Sequence, residues 1–378
     1  MELSDMLPNE LPEEGLGEDI AFDKVAEMVR DLSANLGAAD ALAHMDPPTP
    51  EIAAKLVGLN AAHNQNLLHP DLSPFATHAE KHVLDWLLPH FGMRVGHMCA
   101  GSTVANLAAL WCAREHGARH VVASRDAHIS VPKAASILGM SYEAIPVDSR
   151  GRLNQQHASN LSGAALVLTA GTTGRGVIDE LGWIKEARTQ GAKWVHVDAA
   201  WAGPLCLTRY AERLYGVEDA DSVAVSAHKW LYQPKDSAIV MFSAPEAQEK
   251  ISFGGAYLAV PNVGVQGSRG AAGIALLGTL LAWGRSGLAS RIEESIALSE
   301  ALADRLEHDP RATISQRPET GVLNWRPTDN ARTDQVIEQL ADTASRNLIN
   351  GKPWVRHVAT NPHANLEVIW SKIDKSLR

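Results

Sequence analysis

Only three cysteines occur in the 378 residues, Cys99, Cys112 and Cys206. An odd number without metal-type spacing excludes a disulfide framework and a cysteine-based metal site, and reads as the reduced thiols of a cytoplasmic protein. Basic charge is also scarce: 34 Lys and Arg against 44 Asp and Glu leave a formal charge of −10. That deficit argues against a nucleic-acid backbone or an anionic membrane as main partner, because both select basic surfaces. No apolar run approaches membrane-spanning length, and the opening MELSDMLPNELPEEGLGEDI is acidic rather than signal-like. There is no internal repeat and no low-complexity tract. With 45% apolar and 21% charged residues the chain has ordinary globular composition, and its length suits one large domain plus a smaller one. A cytoplasmic enzyme acting on a small molecule, without a metal, is the expectation.

The patterning predicts an N-terminal arm and helical segment over 1–52, with a helix from Ala21 to Leu36 broken by DPPTP at Asp46 to Pro50. Further helices are predicted from Glu51 to Asn60 and from His78 to Phe91, either side of the polar loop HNQNLLHPDLSP. From Gly101 to Phe242 helices alternate with short runs such as AALVLTA, WVHVDAA, SVAVSA and SAIVMF. Such runs lack polar alternation, as in strands covered on both faces, so 53–288 reads as a large α/β domain with a mostly parallel sheet. Beyond Gly287 a long helix (Ala289 to Leu306), a strand (Gly321 to Trp325), a helix (Thr333 to Asn347) and a strand (Val355 to Ala359) predict a small α+β domain over 289–378.

Ligands of such sheets sit beyond the carboxyl ends of the strands, and the polar residues gather there. WVHVDAAW ends a strand with Asp198, SVAVSAHKW leads to Lys229, VLTAGTTG to Thr172 and Thr173, and VVASRDAH to His128. The turn Gly101-Ser102-Thr103 opens a helix whose N–H groups and positive dipole end suit a phosphate. Each piece alone has an ordinary explanation: an Asp that caps a helix, a His satisfied by its loop, a Lys in water. Lys229 is the hardest to dismiss, because Trp230 and Leu231 follow it, and burying a free ammonium among apolar groups costs roughly several kcal/mol. Phosphate turn, ring-stacking residue, buried acid and lysine together in one α/β domain favour a cofactor site.

These stretches, AHKWLYQPKDSA with HVDAAWAGP, TAGTTGRGVID, SRDAHISVPKA and GSTVANLAAL, resemble the group II pyridoxal-phosphate-dependent amino-acid decarboxylases. The likeness runs from about Pro70 to Gly287. It implies the aspartate-aminotransferase-type fold and pyridoxal 5'-phosphate as cofactor, with Lys229 forming the Schiff base. The amine is then chemically occupied rather than buried free. Asp198 is implied to face the pyridine nitrogen and favour its protonated form, His128 to lie on the ring, and Ala200 to support the other face. Ser102, Thr103 and Ser226 are implied as phosphate contacts, Thr173 as a neighbour of the ring oxygen, and His228 as an aid to carboxylate positioning or proton traffic. GVQGSRGAAG resembles the segment by which a second subunit closes the phosphate site, which implies a homodimer with Gly267 and Ser268 acting across the interface. Tyr257, followed by Leu258, matches the family's loop tyrosine and is implied as the proton donor to Cα that makes the reaction a decarboxylation.

On the substrate side the resemblance points to His63, Asn64, Ser73, Pro74, Phe75 and Trp201, with loop packing as the competing explanation. Arg356 either meets a carboxylate or caps the small domain, the second being favoured. The sequence departs from the family at Ser226 and Ala227, where Asn or Asp and then Pro are usual. It also lacks the long N-terminal arm and has a trimmed C-terminal domain. The expected reaction is conversion of an amino acid to its amine and carbon dioxide; a carbon–carbon lyase or aldehyde synthase on the same cofactor is the alternative.

Overall fold

Short runs of Val, Leu, Ile and Ala set the architecture, because a strand with no polar alternation must be covered on both faces. The computed structural model describes residues 7–256, 258 and 261–378. Residues up to Leu36 form a unit of their own with one helix, α1 (Glu18–Leu32); its first turn carries Glu18 and Asp19 and its last Arg30, matching the helix dipole. The second unit, Gly37–Arg378, holds everything else. In order it contains α2 (Glu51–Ala62), α3 (Pro74–Leu87), β1 (Val95–Cys99), α4 (Ser102–Glu115), β2 (His120–Ser124), α5 (Ser130–Ile137) and β3 (Ser141–Ile145). There follow β4 (Ala164–Thr169), α6 (Ile184–Thr189), β5 (Trp194–Asp198), β6 (Ser222–Ser226), β7 (Ala238–Phe242), α7 (Pro245–Glu249), β8 (Ser252–Phe253) and β9 (Asn262–Val263). The last part comprises α8 (Ala272–Glu307), β10 (Ala312–Ile314), β11 (Val322–Pro327), α9 (Thr333–Gln339), β12 (Ser345–Ile349), β13 (Lys352–Val358) and α10 (Leu366–Ser376).

Seven strands form one sheet in the order β1-β7-β6-β5-β4-β2-β3, parallel except for β7. Every residue of β4, β5, β6 and β7 is buried. On one face Leu166, Val195, Val197, Val223 and Met241 pack with α3 and α8; on the other Ala165, Val167, Ala224 and Val240 pack with α4 and α5. At roughly 1.5–3 kcal/mol for each fully buried large aliphatic side chain, these layers hold the sheet and its strand ends in place. A second sheet, β10-β11-β13-β12, is wholly antiparallel and packs α9, α10 and the end of α8 around Trp325 and Val355.

Several elements depart from the sequence reading. The predicted helix over Thr333 to Asn347 stops at Gln339, and Ser345–Ile349 is a strand paired through five residues with β13. The long helix begins at Ala272 rather than Ala289, and β1 and α10 are additional. Gly273 and Gly278 near the start of α8 are packing positions. A Cβ on Gly278 would meet Leu56 Cδ1 at 2.0 Å, and one on Gly273 would meet the Glu80 Cα at 3.0 Å, so glycine lets α2 and α3 approach. Gly284 (φ 60°, ψ −179°) then kinks the helix. Contrary to the expectation from apolar runs, α8 is long and apolar enough to cross a membrane by length and composition. Here it carries buried Leu276, Leu288, Ile292 and Ile296 in the core.

Candidate active site

Because β1, β2, β4, β5 and β6 run the same way, their carboxyl ends share one edge of the sheet. Asp198 closes β5, and β6 beside it ends at Ser226, three residues before Lys229. The turn after β6 is pinned by backbone bonds: Ser226 N–H to Ala200 O (3.3 Å), Ala227 N–H to Ser237 O (3.0 Å) and Lys229 N–H to Ser226 O (3.4 Å). The Ala227 N–H makes a bond that proline, the residue expected here from the family resemblance, could not.

Among the described residues the Lys229 amine has no hydrogen-bond or ion-pair partner, although its side chain is crowded. Burial holds its pKa below the ordinary lysine value; the nearby Asp198 and Asp46 carboxylates oppose that shift, while Lys235 and Arg356 add to it. Asp198 is 3% exposed, and both its oxygens accept N–H bonds: Oδ2 from Asn106 Nδ2 (2.9 Å) and Oδ1 from Ala200 N (3.1 Å). His128 follows β2 and is half-buried. Its Nδ1 accepts from Ser130 Oγ (2.8 Å) and Ser130 N (3.2 Å), so the imidazole is the neutral Nε2–H tautomer. Burial lowers its pKa, Asp198 raises it and Lys229 lowers it again, so acid, ring and amine lie within one another's field.

Opposite them α4 begins at Gly101 (φ +85°), which offers no side-chain cap; its carbonyl takes the N–H groups of Val104 and Ala105 and leaves those of Ser102 and Thr103 to an outside acceptor. A Cβ on Gly101 would lie 4.0 Å from His228 Cε1, so this turn adjoins the lysine loop. His228 donates from Nδ1 to Ser237 O (3.1 Å), and burial holds its pKa down. Ser226 Oγ is buried without a hydrogen-bond partner among the described residues. An orphan hydroxyl, an uncapped helix start, a carboxylate and an unpaired amine together suit an anionic, ring-nitrogen-bearing aldehyde such as pyridoxal phosphate.

Other predicted residues lie further out. Gly267 and Ser268 are exposed, and Ser268 Oγ accepts from Asn66 Nδ2 (3.4 Å). Their segment is anchored by Arg269, paired with buried Glu80 at 2.6 and 2.7 Å, and by Gln266, whose Oε1 takes the Ala100 N–H (2.7 Å) beside the phosphate turn. Thr173 is exposed and its carbonyl accepts from Arg356 Nε (2.9 Å). Arg356 also bonds Ser345 Oγ and Ala43 O, so it ties β13 to the Thr173 loop; burial lowers its pKa to about 10. His63 and Asn64 end α2 in solvent, Phe75 is 61% exposed, and Ser73 is buried with Oγ accepting from Asn66 N. Trp201 departs from the substrate-side expectation. It is 1% exposed, stacked on Trp230 with centroids 4.1 Å apart, and donates to Thr320 O (2.8 Å), which is a packing position. Tyr257 lies outside the described residues.

Sequence reasoning missed Asn106, Ser130, Glu80 and Gln266. The available signal was polar residues on buried helix faces: Asn106 is fully buried on α4 among Ala105, Ala108 and Ala109, and Glu80 is buried on α3.

The model of the pyridoxal-dependent decarboxylase conserved domain matches residues 48–326. The L-2,4-diaminobutyrate decarboxylase of Rhizobium meliloti (strain 1021) is 30% identical over 354 residues, 84% of this chain and 70% of that protein. The aspartate 1-decarboxylase of Aliivibrio fischeri is 27% identical over 355 residues, 78% of this chain and 64% of that protein. The crystal structure of Oryza sativa TDC with PLP and tryptamine superposes with a TM-score of 0.89 at 19% identity, covering 99% of this chain and 91% of that one, so the two share a fold.

Proposed function

The chain belongs to the pyridoxal-dependent decarboxylase family and is an amino-acid decarboxylase that uses pyridoxal phosphate, and we propose that Lys229 is the residue that holds the cofactor. The observation that carries this assignment is the crowded Lys229 amine, without a partner among the described residues, in the field of Asp198. Bound, the cofactor supplies an electron sink for the pair left at Cα when carbon dioxide departs. The protein's own residues do the rest. Asp198 would present its carboxylate to the ring nitrogen, His128 and Ala200 would hold the ring, and Ser102, Thr103 and Ser226 would take the phosphate. Thr173 would neighbour the ring oxygen, and His228, bonded to Ser237 O, would steady the loop that aims Lys229. Holding the ring rigidly leaves the substrate's α-carboxylate as the group to be oriented.

Tyr257 is proposed as the donor of the proton to Cα. His63, Asn64 and Phe75 are proposed as substrate contacts. The exposed Gly267 and Ser268 are proposed to complete a neighbouring subunit's phosphate site in a homodimer, held out by the Arg269–Glu80 pair. Three free thiols fit a cytoplasmic location.

Borohydride reduction of the cofactor-loaded protein, followed by peptide mass mapping, tests the central assignment. The pyridoxyl label is expected on Lys229; a label on another lysine overturns it. The same protein supplied with single amino acids should release carbon dioxide and amine in equal amounts. The alternative, aldehyde formation, is tested with Tyr257→Phe, which should move product from amine to aldehyde; unchanged amine output removes Tyr257 from the mechanism.

A further inference from the structure

Beneath the site a series of buried polar side chains runs without a break from the middle of the sheet to both cofactor-facing groups. Trp194 Nε1–H donates to Ser222 Oγ (2.9 Å); His196 Nδ1 lies 2.9 Å from Ser222 Oγ and 3.2 Å from Ser222 O, and with its proton on Nε2 it accepts the Ser222 hydroxyl hydrogen. His196 Nε2–H donates in turn to Asn106 Oδ1 (3.0 Å). The Asn106 amide then forks: one Nδ2 hydrogen goes to Asp198 Oδ2 (2.9 Å), the other to Ser130 Oγ (2.8 Å), whose own hydrogen goes to His128 Nδ1 (2.8 Å). Every donor finds one acceptor in this order. Turning the Asn106 amide over would set its oxygen against the Asp198 carboxylate and its NH2 against a donating His196, so only one orientation satisfies the network. His196 is fully buried and its pKa falls to about 4, which keeps it neutral in this role.

Asn106 sits on α4, the helix whose first turn holds Ser102 and Thr103. It therefore joins three elements by hydrogen bonds from one side chain: α4 with its phosphate turn, the end of β5 and, through Ser130, the loop after β2. We propose that Asn106 is a positioning residue whose forked amide sets the phosphate turn, Asp198 and His128 in fixed relation, so that one cofactor ring meets all three. The proposal rests on the pyridoxal-phosphate reading above. It differs from a role in core packing alone, because a packing residue would not connect the behaviour of Asp198 to that of His128.

The test uses purified full-length protein and pyridoxal phosphate itself. Dissociation constants and release rates are measured for wild type, Asn106→Leu, Ser130→Ala and the double variant, each with a thermal melt to verify folding. Removing a buried bond to a charged acceptor should weaken cofactor binding about tenfold or more in Asn106→Leu. Ser130→Ala should weaken it less, and the double variant should be no weaker than Asn106→Leu, since both act through one fork. The pH dependence of the bound cofactor's visible absorbance should also shift in Asn106→Leu. Binding within about twofold of wild type, or additive losses in the double variant, would overturn the proposal. If Asn106→Leu does not fold, nitrogen NMR of His128 in the apo-protein decides. Wild type should show the Nε2–H tautomer; Ser130→Ala keeps the backbone N–H bond to Nδ1 and so the tautomer, but loss of the hydroxyl bond should move the Nδ1 chemical shift, and an unmoved shift sinks the coupling. Failure of wild type to bind pyridoxal phosphate, or unaltered binding in Lys229→Ala, would instead count against the functional reading and take this inference with it.

Discussion

At the ends of β2 and β5 the ring-facing polar groups are held by hydrogen bonds, and the Ser226 hydroxyl and Lys229 amine after β6 are left open for a ligand, whereas the flanking loops leave their polar groups in solvent. Asp198 accepts on both oxygens and His128 is fixed by Ser130. By contrast His63, Asn64, Gly267 and Ser268 are exposed, and Ser268 is held by one long bond to Asn66. The difference teaches where each part of the chemistry can reside. Cofactor geometry needs atoms that do not move, and parallel strands covered on both faces provide them. Recognition of a particular amino acid can be left to loops, where side chains change without disturbing the sheet. Diaminobutyrate and aspartate decarboxylases both align with this chain, consistent with one rigid centre and variable surroundings.

The comparison predicts a gradient of mutational effects. Lys229→Ala, at the rigid end, should lower decarboxylation on the order of a thousandfold or more and abolish the visible band of bound cofactor. Retention of that band would break the comparison at its strongest point. Asp198→Asn keeps the shape but removes the charge, and should cost about a hundredfold in kcat with a smaller change in cofactor affinity. Trp201→Ala tests whether a residue beside the site belongs to the packing. It should lower stability by about 3–5 kcal/mol in a denaturant melt. The kcat of the protein that remains folded and loaded should stay near wild type.

A pH titration of stability probes the buried histidines that support the rigid regions. Burial lowers the pKa of His97 to about 3 and of His196 and His357 to about 4, from an ordinary 6.5. The unfolded chain therefore binds more protons than the folded one between about 4 and 6.5, so their stabilising contribution is complete above 6.5 and is lost as pH falls through this window. Buried Asp179, raised to about 6 from 3.8, acts in the opposite direction, while the lowered pKa values of His128 and His228 add to the histidine effect. The melting temperature should fall on acidification below 6.5, with a shallower slope in His357→Gln; an equal slope in that variant would remove His357 from the account. The smallest effect is expected in the loops. Ser268→Ala should raise the cofactor dissociation constant only a few-fold, roughly 1 kcal/mol. Mixing Ser268→Ala with Lys229→Ala subunits would show whether the loss belongs to the neighbour's site.

Legibility followed the same division. Strand runs such as SVAVSA and WVHVDAA were readable because burial on both faces erases polar alternation. The residues they deliver, Asp198 and Lys229, could be placed at one sheet edge before any coordinates. For Trp201 the family resemblance pointed to the substrate side, with packing as the competing explanation. A sharp turn sends its ring the other way, onto Trp230 and Thr320. The start of α8 and the strand Ser345–Ile349 were missed for a related reason: close approach to Leu56 and Glu80, and pairing with β13, are choices made by distant partners.

By itself the sequence determined an α/β sheet, the order of its strand-end groups along the chain, and a lysine that required a chemical partner. Those follow from local patterning and from the cost of burying charge, which neighbours along the chain already express. Only the tertiary structure decided that Asn106 joins Asp198 to Ser130 and His128, that Glu80 holds Arg269, and that Trp201 packs inward. Hydrogen bonds and close packing act between residues far apart in the chain, and no local pattern records which of the possible partners the fold brings within reach.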